Sequence, residues 1–161
     1  MLDRAMISFP EFLPAEFLSS DDPSHPFPEQ PAITPEGNSR IRPRVLVVDD
    51  ERLIAETLAA ILNGNGFEAF EAFNGEDALE TARKLRPDIV ISDVLMPKMS
   101  GVELGILVRR EFPDSKVFLF SGQAATIELM HKAKADGHSF ELLPKPIHPE
   151  DLIAKLRGSH L

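Results

Sequence analysis

Cysteine is absent from the chain. That excludes disulfides, thiolate metal sites and a cysteine nucleophile. Tryptophan and tyrosine are absent too, and all 11 aromatic residues are phenylalanine. Positive charge is scarce: 17 Lys and Arg stand against 26 Asp and Glu, for a net charge of −9. A large nucleic-acid-binding face needs clustered cations, so this balance argues against a nucleic-acid partner. No apolar run approaches the roughly 18 residues of a membrane span, so no membrane insertion is expected. What the chain does hold is 43% hydrophobic residues in a length of 161. That supports a core and one domain of ordinary size, with some chain to spare.

Proline marks off the spare part. Eight of the 14 prolines lie in residues 1–43, from Pro10 to Pro43. Neither a helix nor a central strand survives that spacing. The same stretch carries seven acids against three bases. Residues 1–43 therefore read as a Pro-rich, mostly disordered arm. Pro10 and Pro14 cut its apolar stretches, so it is not a signal peptide. Phe9, Phe12 and Phe17 sit among acids there and could dock on a partner; the plainer reading is a tail without specific contacts.

From Arg44 the texture changes. Val45 to Val48 is a short β-branched run that ends at Asp49-Asp50, a strand buried on both faces. Ile54, Leu58, Ile61 and Leu62 follow at helical spacing, and Gly64 and Gly66 stop them. Phe67 to Phe73 suits a second strand near an edge, and Glu76 to Leu85 a second helix. Ile89 to Ile91 is a third strand ending at Ser92-Asp93, followed by a loop and a helix carrying Val102, Ile106 and Leu107. Val117 to Phe120 is a fourth strand ending at Ser121-Gly122, and Thr126 to Ala135 a helix with Ile127 and Met130 along it. Phe140 to Leu143 is a fifth strand, closed by Pro144-Lys145-Pro146. Pro149 can open a last helix carrying Leu152, Ile153 and Leu156.

Alternating strands and helices predict a doubly wound α/β fold: a five-stranded parallel sheet with helices on both faces. Pro144 cannot donate to a ladder, which predicts an edge position for strand five. The first and third strands are the most continuously apolar and should be central. Residues 44–161 form the predicted domain.

In open α/β sheets the site forms beyond the carboxyl ends of the strands. Those ends carry Asp49 and Asp50, Asp93, Ser121 and Lys145. Three carboxylates in contact repel and raise one another's pKa. A hard dication such as Mg²⁺ relieves this with oxygen ligands. A carboxylate can also attack phosphorus and form an aspartyl phosphate, whose oxygens a cation, an ammonium and a hydroxyl would neutralise. No histidine lies at a strand end to serve as general base.

At these residues the chain resembles a response-regulator receiver domain of two-component signalling, of the single-domain, chemotaxis-regulator type. The matching motifs are Val45 to Glu51, Ser92 to Pro97, Ser100-Gly101, Ser121-Gly122 and Lys145-Pro146. The resemblance covers about Arg44 to Leu156. It implies the flavodoxin-like strand order 2-1-3-4-5. It implies that Asp93 is the phosphoacceptor, phosphorylated from a phosphohistidine on a sensor histidine kinase or histidine phosphotransfer protein. Asp50 would bind Mg²⁺ directly, Asp49 mainly through water, with Asp93 and the backbone carbonyl of Leu95 as further metal ligands. Ser121 and Lys145 would bind the phosphoryl oxygens, and the Lys145–Pro146 bond would be cis. Such a protein is a phosphoacceptor rather than an enzyme, is cytoplasmic, and signals by altered protein–protein contacts. No output domain is expected after the last helix, so the downstream protein would be contacted through helix four, strand five and helix five, or through the arm.

Departures from the family pattern are Leu142, where an aromatic switch residue is usual, Pro144 before the lysine, Gly105 in helix three, and Met99-Ser100 before the loop glycine. Two alternatives follow: a phosphorylation-independent receiver-like interaction module, motivated by Leu142, and a phosphorelay intermediate. An aspartate-nucleophile phosphatase ranks behind both, because the position two after Asp93 is Leu95 rather than a second Asp. Read singly, the motifs have plainer meanings. Asp49-Asp50-Glu51 could cap a helix, Ser121-Gly122 could be a turn, and Lys145 a solvated surface lysine. Leu95 and Gln123 flank the site and should tune water access. The five histidines read as solvated, Met96, Met99 and Met130 as packing residues, and Arg109-Arg110 and Lys132/Lys134 as exposed helix faces.

Overall fold

The structure is a computed structural model and describes residues 42–122 and 125–160. The predicted arm lies outside the described residues except for Arg42 and Pro43, as does Gln123. Five strands alternate with five helices: β1 (Arg44–Val48), α1 (Arg52–Asn63), β2 (Glu68–Ala72), α2 (Gly75–Leu85), β3 (Ile89–Asp93), α3 (Gly101–Glu111), β4 (Lys116–Ser121), α4 (Ala125–Ala135), β5 (Glu141–Pro144) and α5 (Pro149–His160). All strand pairings are parallel, in the order β2-β1-β3-β4-β5. Strand five is at an edge, as its proline requires.

The pleat sends alternate residues to two cores. Val45 and Val47 meet Ile89, Ile91, Phe118, Leu143 and the inner faces of α1 and α5. Leu46 and Val48 meet Val90, Leu119 and the inner faces of α2, α3 and α4. Burial on both faces explains why β1 and β3 read as continuous apolar runs. Leu46 is fully buried, so truncating it to alanine should cost about 2–5 kcal/mol.

The helix starts are specified differently. Asn74 caps α2, its side chain accepting from the Asp77 N–H at 2.8 Å. Ser100 and Glu103 form a reciprocal capping box on α3. α1 has neither: Glu51 makes no side-chain cap bond and the first turn holds no acid. Glu51 is the N-cap residue by position, but no side chain caps the helix, and Asp49 and Asp50 are left to the carboxyl end of the sheet.

Five readings change. Pro144 does not close β5 from outside but is its last paired residue, in register with Ser121; as an edge residue it needs no donor on its open side. Ile106 and Leu107 are only half-buried, and α3 instead buries Val102, Leu104, Gly105 and Val108. Ile127 on α4 is 59% exposed, while its neighbour Thr126 is buried. Arg109 is not a solvated helix face. It lies 4.6 Å from the Phe140 ring centroid and donates to the Ser139 carbonyl. His138 also stacks against Phe140 and is half-buried rather than solvated.

Candidate functional site

β1 and β3 are neighbours, so their carboxyl ends bring Asp49, Asp50 and Asp93 together. One carboxylate oxygen from each lies within 4.8 Å of the others. Asp49 is 2% exposed and Asp50 is exposed. Asp49 accepts from the Glu51 N–H through Oδ1 at 2.9 Å. Its second oxygen faces Lys145.

Lys145 follows β5 and reaches across β4 to the acids. Its Nζ lies 3.3 Å from Asp49 Oδ2 and 3.2 Å from Asp93 Oδ1. The Phe120 ring centroid is 5.6 Å from the same nitrogen, an apolar flank with a weak attraction for the cation. The Lys145 N–H donates to the Ser121 carbonyl at 2.9 Å, tying the hydroxyl residue of β4 to the lysine. The Lys145–Pro146 bond is cis, as the resemblance implies.

Asp93 is held from beneath by groups that carry no charge. The Ser92 hydroxyl donates to the Asp93 carbonyl at 2.9 Å. Gly101 packs so closely there that a Cβ would overlap the same carbonyl and lie 3.0 Å from Ser92 Oγ. The Gly101 N–H also donates to the Val94 carbonyl at 2.9 Å and closes the loop that carries Leu95. Leu95 is 37% exposed. Ser92 carries no motif role of its own in the sequence. Its signal was a polar residue in an otherwise apolar strand, and it is completely buried.

The electrostatics follow from this packing. Burial pushes the Asp93 carboxyl above its ordinary pKa, Asp49 adds to the rise, and Lys145 opposes it. For Lys145 burial disfavours the charge, yet Asp49 and Asp93 together push its pKa above the ordinary value. One ammonium thus serves two carboxylates, and a third acid stands beside them. The donor set is all oxygen and carries excess negative charge, which fits a hard dication such as Mg²⁺. Beside Asp50 opens a niche of about 140 Å³, walled by Phe73, Pro97, Lys98 and Met99.

The residues named from sequence therefore lie at or just beyond the carboxyl ends of the strands, and Lys145 is in direct contact with Asp49 and Asp93. Among the described residues no helix is long and apolar enough to cross a membrane.

Comparison with known proteins agrees with the fold. The response regulator receiver domain family matches residues 45–157. The chain is 30% identical over 118 residues to the DNA-binding response regulator MtrA of Mycolicibacterium paratuberculosis, covering 73% of this chain and 51% of that protein. It is 34% identical over 115 residues to the response regulator MprA of Mycolicibacterium vanbaalenii, covering 71% of this chain and 49% of that protein. The chain thus spans about half the length of these relatives. Among solved structures, the chemotaxis protein CheY4 of Vibrio cholerae superposes with a TM-score of 0.65 at 32% identity, over 73% of this chain and 98% of CheY4. A receiver domain protein of Clostridium thermocellum gives 0.66 at 27% identity, over 73% and 93%. With these matches over its described fold, the chain belongs to the response regulator receiver domain family of two-component signalling.

Proposed function

We propose that the chain is a phosphoryl-accepting switch with Asp93 as the acceptor. The observation that carries this reading is the double contact of Lys145, at 3.2 and 3.3 Å from two carboxylates on neighbouring strands. An ammonium shared in this way is available to a phosphoryl oxygen once Asp93 has spent its own charge in a bond to phosphorus.

The donor is a phosphohistidine on a sensor kinase or phosphotransfer protein. An Asp93 carboxylate oxygen bonds to phosphorus, the nitrogen–phosphorus bond breaks, and the imidazole keeps the electron pair. Mg²⁺, held by Asp49, Asp50, Asp93 and the Leu95 backbone carbonyl, would supply charge neutralisation at the phosphoryl oxygens. Lys145 keeps its proton throughout, since its pKa is raised, and pairs with one phosphoryl oxygen. The Ser121 hydroxyl donates to another. Ser92 and Gly101 hold the Asp93 backbone, so the attacking oxygen is aimed before the donor arrives.

We read residues 44–161 as the receiver domain, residues 1–43 as an appended arm, and the setting as cytoplasmic. Output by protein contact is supported by the apolar side chains Ile127 and Leu142, exposed by 59% and 40% on α4 and β5. Full chain incubated with acetyl phosphate and Mg²⁺ should gain one phosphate by intact mass, and Asp93→Asn none. No modification, or equal modification of both, overturns the reading.

One observation favours a second reading. Phe140 is buried under Arg109, and the exposed strand position is Leu142, so no aromatic stands at the usual switch place. A phosphorylation-independent module would show amide NMR shifts confined to the site on adding beryllofluoride. A working switch would carry them to α4 and β5.

A further inference from the structure

We propose that Arg52, laid on the ring of Phe73, is a positioning residue for the incoming phosphoryl donor. The proposal rests on the phosphoacceptor reading above. Its starting point is a cation in an unfavourable place. Arg52 opens α1, where the positive end of the helix dipole disfavours a guanidinium. The first turn has no acid to offset it. The offset comes from Phe73, whose ring centroid lies 4.0 Å from Arg52 Cζ. Phe73 is itself half-buried against the core, so the platform is firm. Among the described residues Arg52 has no ion-pair partner. Among the described residues its hydrogen-bonding fork has no partner either, although Asp50 and Glu51 precede it in the chain.

The same ring walls the niche beside Asp50. Lys98 lines the same niche, exposed and held at a left-handed φ of 66°. The surroundings are otherwise acidic: Asp50 shares one carboxylate cluster with Asp49 and Asp93, and Glu76 lines the niche beside it. Lys145 is committed inside, to Asp49 and Asp93. A phosphoryl donor is a dianion, and it meets repulsion at this entrance before it meets the lysine. Arg52 supplies a fixed positive charge with a planar fork that matches phosphoryl oxygens. Its role is in capture, before any bond changes. Transfer then proceeds as above: with acetyl phosphate the acyl oxygen–phosphorus bond breaks and acetate leaves with the electron pair.

The test uses the full chain, Mg²⁺ and acetyl phosphate. The initial phosphorylation rate is followed against donor concentration. Arg52→Ala should lower that slope roughly three- to fivefold, the reach of one exposed charge. Arg52→Lys should recover part of it, and raising the ionic strength should narrow the gap. The rate of phosphoryl loss to water should not change, because water carries no charge to steer. An equal slope in Arg52→Ala, a gap that salt leaves intact, or a loss shared equally by phosphoryl gain and loss would overturn the role. If the unaltered chain takes no phosphate, the acceptor reading falls as well, and the two failures are thereby told apart.

Discussion

Gly105 and Phe140 compete for one volume between α3 and β5. A Cβ on Gly105 would come 2.9 Å from Phe140 Cε1 and 3.2 Å from Val117 Cγ1. The missing side chain is what lets the ring lie buried, with Arg109 over its face. Gly105→Ala gains up to about 1 kcal/mol of helix propensity but forces an overpacked core at a cost of about 1–3 kcal/mol. We expect a net loss of about 1 kcal/mol in urea unfolding. Shrinking the ring with Phe140→Leu should make the same alanine neutral or favourable. Independent, additive effects in the double variant would contradict the shared volume.

Gly101 is a harder case, because its neighbour is backbone. The Asp93 carbonyl cannot rotate away from an added methyl group. Gly101→Ala should cost about 3 kcal/mol, the upper end of overpacking, and should weaken Mg²⁺ binding by displacing Asp93. A variant that unfolds at the parent's midpoint and binds Mg²⁺ equally well would refute this.

Asp93 should destabilise the metal-free domain at neutral pH. Folding raises its pKa, so the folded state holds the proton more tightly than the unfolded state. The charged carboxylate therefore costs stability above the folded pKa; the cost shrinks as pH falls below that value and is gone below the unfolded one. Asp93→Asn should melt a few degrees higher than the parent at neutral pH without divalent metal. The difference should shrink in acid, and Mg²⁺ should close it by stabilising the parent alone. Thermal melts across pH, with and without Mg²⁺, read all three outcomes.

Lys145→Gln should do the opposite to stability. The raised pKa of Lys145 marks a contribution present at neutral pH and lost only as alkaline pH passes the folded value. Removing the charge leaves Asp49, 2% exposed, without its ion-pair partner. A loss of about 1–3 kcal/mol is expected. The same variant should bind Mg²⁺ more tightly, since the ammonium no longer competes for Asp49 and Asp93. Fluorescence is not available without tryptophan, so calorimetry is the suitable measurement.

Most of the fold was legible because its signals were local. The runs at β1 and β3 ended in acids, and prolines and glycines closed the helices. The acids and Lys145 were legible because strand ends in a parallel sheet converge. What was hidden depended on contacts between distant segments. Nothing near Gly105 announces that Phe140 will occupy its space, and nothing near Arg109 announces a carbonyl 30 residues on. Arg52 and Phe73 are 21 positions apart and carry no motif. Ile127 fits the helical period but faces outward, because apolar spacing does not distinguish a core face from a docking face.

Asp49 directly follows β1 and Asp93 ends β3, two strands each paired on both sides, whereas Lys145 follows β5, which among the described residues pairs with β4 alone. The acidic half of the site is thus mounted on the part of the sheet expected to open last, and the basic half on an edge expected to open before it. Amide protons of β5 should exchange with solvent ahead of those of β1 and β3. Each such local opening withdraws the ammonium while leaving the carboxylates in place.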